Sequence, residues 1–231
     1  MLACMRLGVI ADIRGNDVAL RAILKDADQM ALDRWWALGD LVLFGPRPAE
    51  VLDLLSTLPG IGMLRGNTDR YVLTGEQPAP HATVGDAVGS LDLVQRYVAM
   101  AAGIAWTRGV LDQAGKLATL ASLPSQLRLQ LPSGANVLGV HASPGADDGP
   151  GIEPEISEEH LRGLLAGSDA DIIIGGHTHW ITDGPAVTQR TIPFDADAVI
   201  DDLQGRHHPN TEFSTSVLSG QRRRVSKRSS S

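Results

Sequence analysis

Residues 9–16 read VIADIRGN: an apolar run that stops on a carboxylate, passes through an arginine and turns at Gly15-Asn16. A short apolar stretch bounded by turn residues reads as a buried strand. Asn16 then caps a helix, because Val18, Leu20, Ile23, Leu24 and Ala27 follow near helical spacing. The strand therefore delivers Asp12 at its carboxyl end, just before the chain turns away.

Working outward, the same alternation repeats. RWWAL (34–38) is a second strand ending on Gly39-Asp40, AEVLDLLSTL (49–58) is helical, and IGMLRGN (61–67) is a third strand. Strand, helix, strand, helix, strand predicts an α/β sheet with helices on its faces. Residues 75–124 break that rhythm and read as a helical insertion, with stretches over 90–103 and 107–122, the second capped by Thr107. LRLQL (127–131) and NVLGVHA (136–142) then form a hairpin across Pro132-Ser133-Gly134. A polar loop, ADDGPGIEPE, reads as solvated and leads to the helix SEEHLRGLLAG, whose Glu158 and Glu159 suit the helix dipole. DADIIIGGHTHW (169–180) is another buried strand with a polar end. After it, VTQRTIPF (187–194) reads as a strand and DADAVIDDLQG (195–205) as a helix. One domain is expected over 1–205, with a polar, basic, disordered tail over 206–231.

The bulk composition suits this reading. With 231 residues, 43% hydrophobic and 20% charged, the chain is an ordinary globular domain, and 4% aromatics makes its core aliphatic. A single cysteine, Cys4, excludes an internal disulfide framework. No run approaches the roughly 18 apolar residues of a membrane span, and the N-terminus lacks the basic start and cleavage site of a signal peptide. A cytoplasmic protein without a membrane partner is expected. Five of the 20 basic residues, Arg222, Arg223, Arg224, Lys227 and Arg228, lie in the tail, leaving 15 against 27 acidic residues, a net of −12. So acidic a body disfavours sequence-independent binding to nucleic acid, which is expected at most as a substrate.

Ligand-type side chains stand where the apolar runs stop. Asp12 follows VIA, Asp40 follows WALG, Asn67 follows MLRG, His141 follows VLGV, and His177 and His179 follow IIIGG. In an open α/β sheet, the carboxyl ends of strands are where ligand sites form. Two carboxylates, an amide and three imidazoles in one crevice call for a cation: the carboxylates need opposing charge, and neutral imidazole ligates borderline divalent metals.

These blocks resemble the calcineurin-like metallophosphoesterase family, in particular its small bacterial single-domain branch. The family's ordered motifs are D-x-H, G-D, G-N-H-D, a lone H and G-H-x-H. Here they stand as DIR (12–14), GD (39–40), GNTD (66–69), His141 and GHTH (176–179). The resemblance implies two packed mixed β-sheets flanked by helices. It also implies hydrolysis of a small phosphorylated substrate by metal-activated water, with two divalent ions (manganese, iron, nickel or zinc). Asp40 would bridge the two metals, Asp12 and His179 would serve the first, and Asn67, His141 and His177 the second.

Three departures bear on this expectation. Arg14 replaces a metal-ligand histidine, and a guanidinium has no lone pair to give. Three outcomes follow: Arg14 turns outward, it turns inward and holds substrate phosphate, or the site binds one metal and works poorly or not at all. Thr68 replaces the histidine of G-N-H-D and is a poor general acid, so substrates with good leaving groups suffer least. Bacterial members of the resembled family that lack this histidine tend to be phosphodiesterases, so the resemblance implies diesters ahead of monoesters, and for Asp69 capping the following helix is at least as good a reading as orienting a catalytic group. The stretch after Trp180 lacks the family's N-P-G-S turn, so the sheet is expected to be truncated at its C-terminal edge. The rival reading is a non-catalytic phosphate-binding or interaction protein disabled by Arg14; the remoter one is a structural domain whose histidines only form hydrogen bonds.

Other residues admit plainer readings. Of Trp35 and Trp36, which face opposite ways in a strand, one is expected in the core and the other under a helix; His207 and His208 are expected solvated, and His81 and His160 without partners. Arg47 and Arg65 flank the crevice and serve equally well as phosphate contacts or as surface ion pairs.

Overall fold

The computed structural model describes residues 5–78, 84–180 and 190–218. Two three-stranded sheets form its centre. In the first, β1 (Leu7–Ile10), β2 (Arg34–Leu38) and β3 (Gly62–Leu64) are all parallel. The crossovers are α1 (Asp17–Ala27), whose first turn Asn16 caps by accepting from the Ala19 amide, and α2 (Pro48–Ser56), with proline at its first position. In the second sheet, β4 (Gln126–Gln130) and β5 (Asn136–Val140) form the expected antiparallel hairpin, and β6 (Ile172–Ile174) joins β5 in parallel.

The sheets pack face to face on Trp36, Leu38, Leu64 and Val137, with Leu127, Leu129 and Ile174 at the margin. Contact is close enough that a Cβ on Gly139 would come within 2.9 Å of Leu38 and Trp36. The other face of the first sheet carries the larger core, where Leu20, Val51, Leu52, Leu55, Val72 and Leu111 close over Ala37. Trp35 and Trp36 are both buried, as expected.

Helix α3 (Asn67–Thr74) follows β3, and α4 (Val84–Gly89) opens the insertion. The two helical stretches expected next are one long helix, α5 (Leu91–Gln113), followed by the short α6 (Leu117–Ser122). Ser90 caps α5, and Thr107, expected to start a second helix, is buried inside it. Ile104, Thr107 and Leu111 continue one buried stripe, so packing carries the helix through Gly103 and Gly109; the break comes at Gly115, where φ is +67°.

Helix α7 (Glu158–Leu165), capped by Ser157, precedes β6 and has no buried residue. Among the described residues no strand follows β6, and Ile172 is exposed there. The strand expected over 187–194 is absent from 190–194, while 187–189 lie outside the described residues, as does His81. Helix α8 (Ala196–Gly205) forms as expected.

The expected disordered tail begins instead with structure. Helix α9 (Thr211–Leu218) packs back on the body, and residues 219–231, with the five basic side chains, lie outside the described residues. His207 is exposed, but His208 is buried, edge-on to Trp106 of α5 at 4.6 Å between ring centroids. Tertiary packing, invisible in the local polarity of that segment, orders it. No helix among the described residues is long and apolar enough to cross a membrane.

Candidate metal centre

Among the described residues, five of the six strands point their carboxyl ends at one rim. Asp12 follows β1, Asp40 follows β2, Asn67 begins α3 after β3, His141 follows β5, and His177 and His179 follow β6. The loops stay in register beyond the strands. The amides of Asp12, Arg14 and Gly15 donate to the carbonyls of Gly39, Asp40 and Leu41, and Gly176 donates to His141.

Two further bonds tie one sheet's rim to the other. Nδ1 of His141 lies 2.7 Å from the Leu38 carbonyl, and the His177 amide donates to Asp12 Oδ2 at 3.0 Å. Glycine makes the approach possible: a Cβ on Gly66 would sit 2.2 Å from Asp40 Oδ1, and Gly39 takes φ +85°. Asp12, Arg14, Asp40, His177 and His179 all hold φ between +54° and +67°, a region disfavoured for residues with a Cβ and found where surrounding structure imposes it.

The site divides into two positions that share Asp40. At one, His141 Nε2 faces Asn67 Oδ1 at 3.1 Å and Asp40 Oδ1 at 3.2 Å. A carbonyl only accepts, so the Leu38 contact places a hydrogen on Nδ1 and, in the neutral ring, leaves the Nε2 lone pair towards two oxygens. Three electron-pair donors converging on one point need a proton or a metal ion between them. Separations of about 3 Å are those of adjacent ligands around an ion bonded at about 2.1 Å. His141 and Asp40 are fully buried and Asn67 nearly so. Burial alone would lower His141, but its bond to Asp40 outweighs that and raises it to about 9; in turn burial would raise Asp40, while His141 and Arg14 hold it well below the usual carboxylate range. The donor set fits a divalent ion. His177 lies edge-on to His141 at 5.1 Å between centroids, with Nε2 2.8 Å from the Gly149 carbonyl.

At the other position, the expected ligand atoms surround a nitrogen of Arg14. Nη2 lies 3.1 Å from Asp12 Oδ1, 2.8 Å from Asp40 Oδ2 and 3.1 Å from His179 Nε2. Arg14 thus turns inward, with its side chain only 11% exposed, and meets carboxylates. Its guanidinium also lies over the Phe44 ring, 5.3 Å from the centroid, and Phe213 of α9 meets Phe44 edge-on at 5.4 Å. Burial would raise the Asp12 carboxyl, yet His179 and Arg14 together hold it low.

Around these positions, Thr68 donates its amide to Asp40 Oδ1 at 3.0 Å, and its Oγ1 is buried without a hydrogen-bond partner among the described residues. Asp69 takes the helix-capping role, accepting from the Gly66, Leu41 and Val42 amides. Arg47 makes ion pairs with Asp202 and Glu50, the surface-pair alternative.

Sequence reasoning missed Phe44, Gly149 and Asp148. The loop expected to be solvated is fastened to the site: Asp148 accepts from Tyr71, Asp147 pairs with Arg70, and Gly149 holds His177. These are backbone and second-layer contacts made across the fold, and only the acidic pair Asp147-Asp148 beside His141 hinted at them.

The fold and rim define a class of two-sheet α/β proteins with a metal-type cluster at the strand ends. The chain belongs to the calcineurin-like phosphoesterase family, whose profile matches residues 5–180. It is 30% identical over 177 residues to an uncharacterised protein of Methanocaldococcus jannaschii, covering 75% of this chain and 62% of that one. In structure it resembles a metallophosphoesterase from Sphaerobacter thermophilus, with a TM-score of 0.66, 21% identity, and coverage of 94% of this chain and 98% of that one.

Proposed function

We propose that the protein is a metal-dependent phosphoesterase acting on a small substrate, with phosphodiesters ahead of monoesters. The observation that carries this is the buried contact of His141 Nε2 with both Asp40 Oδ1 and Asn67 Oδ1, a place where a divalent ion can take over from the shared proton. A divalent ion held there (manganese, iron, nickel or zinc) supplies an activated water and charge for a phosphoryl oxygen.

The chain's own groups do the rest. Asp40, held ionised, and His141, oriented by Leu38, fix the ligand geometry. Arg14 keeps a permanent positive charge beside the reacting centre, where phosphoryl oxygens gain negative charge. Thr68 Oγ1, buried beside Asp40 with no hydrogen-bond partner among the described residues, is the hydroxyl that stands where the family motif has its histidine. Threonine cannot deliver a full proton to a poor leaving group near neutral pH, so good leaving groups are favoured.

The test is turnover of bis-p-nitrophenyl phosphate against p-nitrophenyl phosphate with added manganese. Faster diester hydrolysis, lost on chelation and reduced to background in His141→Ala, is expected; equal rates for His141→Ala and wild type would refute the reading. The inward Arg14 favours one alternative, a phosphate-binding protein without turnover, which would bind phosphate and hydrolyse neither ester.

A further inference from the structure

We propose that the Arg14 guanidinium is the permanent occupant of the first cation position, so that the chain binds one divalent ion rather than a pair. The inference rests on the metallophosphoesterase reading and concerns the composition of its site. Nη2 of Arg14 stands among Asp12 Oδ1, Asp40 Oδ2 and His179 Nε2, the atoms that would ligate the first metal. An ion there would need the same atoms at about 2.1 Å, so it and the guanidinium exclude one another. Arginine stays protonated, and no accessible pH turns it into a ligand.

The arrangement is built rather than incidental. The guanidinium meets two carboxylates, one fully buried and the other 13% exposed, and its central carbon lies over the Phe44 ring, which Phe213 meets edge-on from α9. Asp40 Oδ2 is buried and, among the described residues, has no hydrogen-bond donor aimed at it; its opposing charge is the Arg14 ion pair at 2.8 Å. Removing the arginine to admit an ion would first strip that charge from a carboxylate with no access to water. At the second position no arginine among the described residues intrudes, and the oxygens of Asp40 and Asn67 both face His141 Nε2.

This composition has a consequence for substrate charge. Asp12 and Asp40 contribute two negative charges, and one divalent ion with one guanidinium leaves the centre about +1; two ions without arginine would leave it about +2. A phosphodiester carries one negative charge and a monoester up to two near neutral pH, so the mixed centre matches the diester.

The experiment is metal stoichiometry of the purified full chain, read by calorimetric titration with manganese and by electron paramagnetic resonance. Wild type is expected to bind one Mn2+ per chain with a magnetically isolated signal. Arg14→His is expected to bind two with an exchange-coupled signal, and Arg14→Ala to show weaker uptake of a second ion, each variant first confirmed folded by thermal melting. Two coupled ions in wild type overturn the proposal, as does a single ion in both folded variants. One bound ion without hydrolysis removes the proposed activity and leaves the single-ion centre standing; no bound ion in wild type removes both.

Discussion

Asp69 is fully buried, and its two oxygens accept from three backbone amides: Gly66 on one, Leu41 and Val42 on the other. It therefore locks the loop carrying Asp40 onto the turn carrying Asn67. Burial and the Asp40 charge push its carboxyl up to about 7, against the pull of the Gly66 and Leu41 amides. Asp69→Asn keeps the shape but points an amide N–H2 at backbone N–H groups. A loss of about 2–3 kcal/mol is expected, read from urea unfolding, because a buried donor is left unsatisfied. Manganese affinity should fall with it, since Asp40 and Asn67 lose their fixed separation; unchanged affinity would show that the ligands hold their places without this brace.

Helix α9 is the element whose role is least visible in its own residues. It carries Phe213 under Phe44, and the turn before it seats His208 against Trp106. Nδ1 of His208 accepts from the Asn210 amide at 3.3 Å, and Nε2 is buried without a partner among the described residues. Burial lowers its pKa from 6.5 to about 4. The unfolded chain then binds the proton more readily than the folded one, so this contribution to stability is complete above about pH 6.5 and is lost as pH falls towards 4. Thermal melts of wild type should weaken through that window, and His208→Leu should flatten this part of the profile; an unchanged slope in the variant would mean other groups produce it. The segment was expected to be a solvated tail because its local pattern is polar and basic. Nothing within residues 206–218 announces that Trp106 and Phe44, more than 100 positions upstream, provide its seat.

At the scale of the molecule, the two chain halves converge on one rim, and α8 and α9 pack on each other beside the larger core, which Val217 joins. Leu203 of α8 is fully buried, while Asp202 and Arg206 tie that helix to Arg47 and Glu50 beside α2. Leu203→Ala should cost about 3 kcal/mol in chemical denaturation through lost burial and the cavity left behind. A cost below about 1 kcal/mol would mean that α8 is not an integral part of the fold.

The alternation of strands and helices, the hairpin, and the identity and order of the ligand-type residues are legible in the residues alone. Apolar periodicity, glycine turns and caps act over a few residues and can be read locally. That α5 runs unbroken, that α9 is ordered and that Arg14 turns inward among Asp12, Asp40 and His179 emerges only once the chain has packed. The physical reason is common to the three: each outcome depends on burial or charge supplied by residues distant in the chain. An arginine's direction follows from where opposing carboxylates and an aromatic face come to lie once the strands have brought them together.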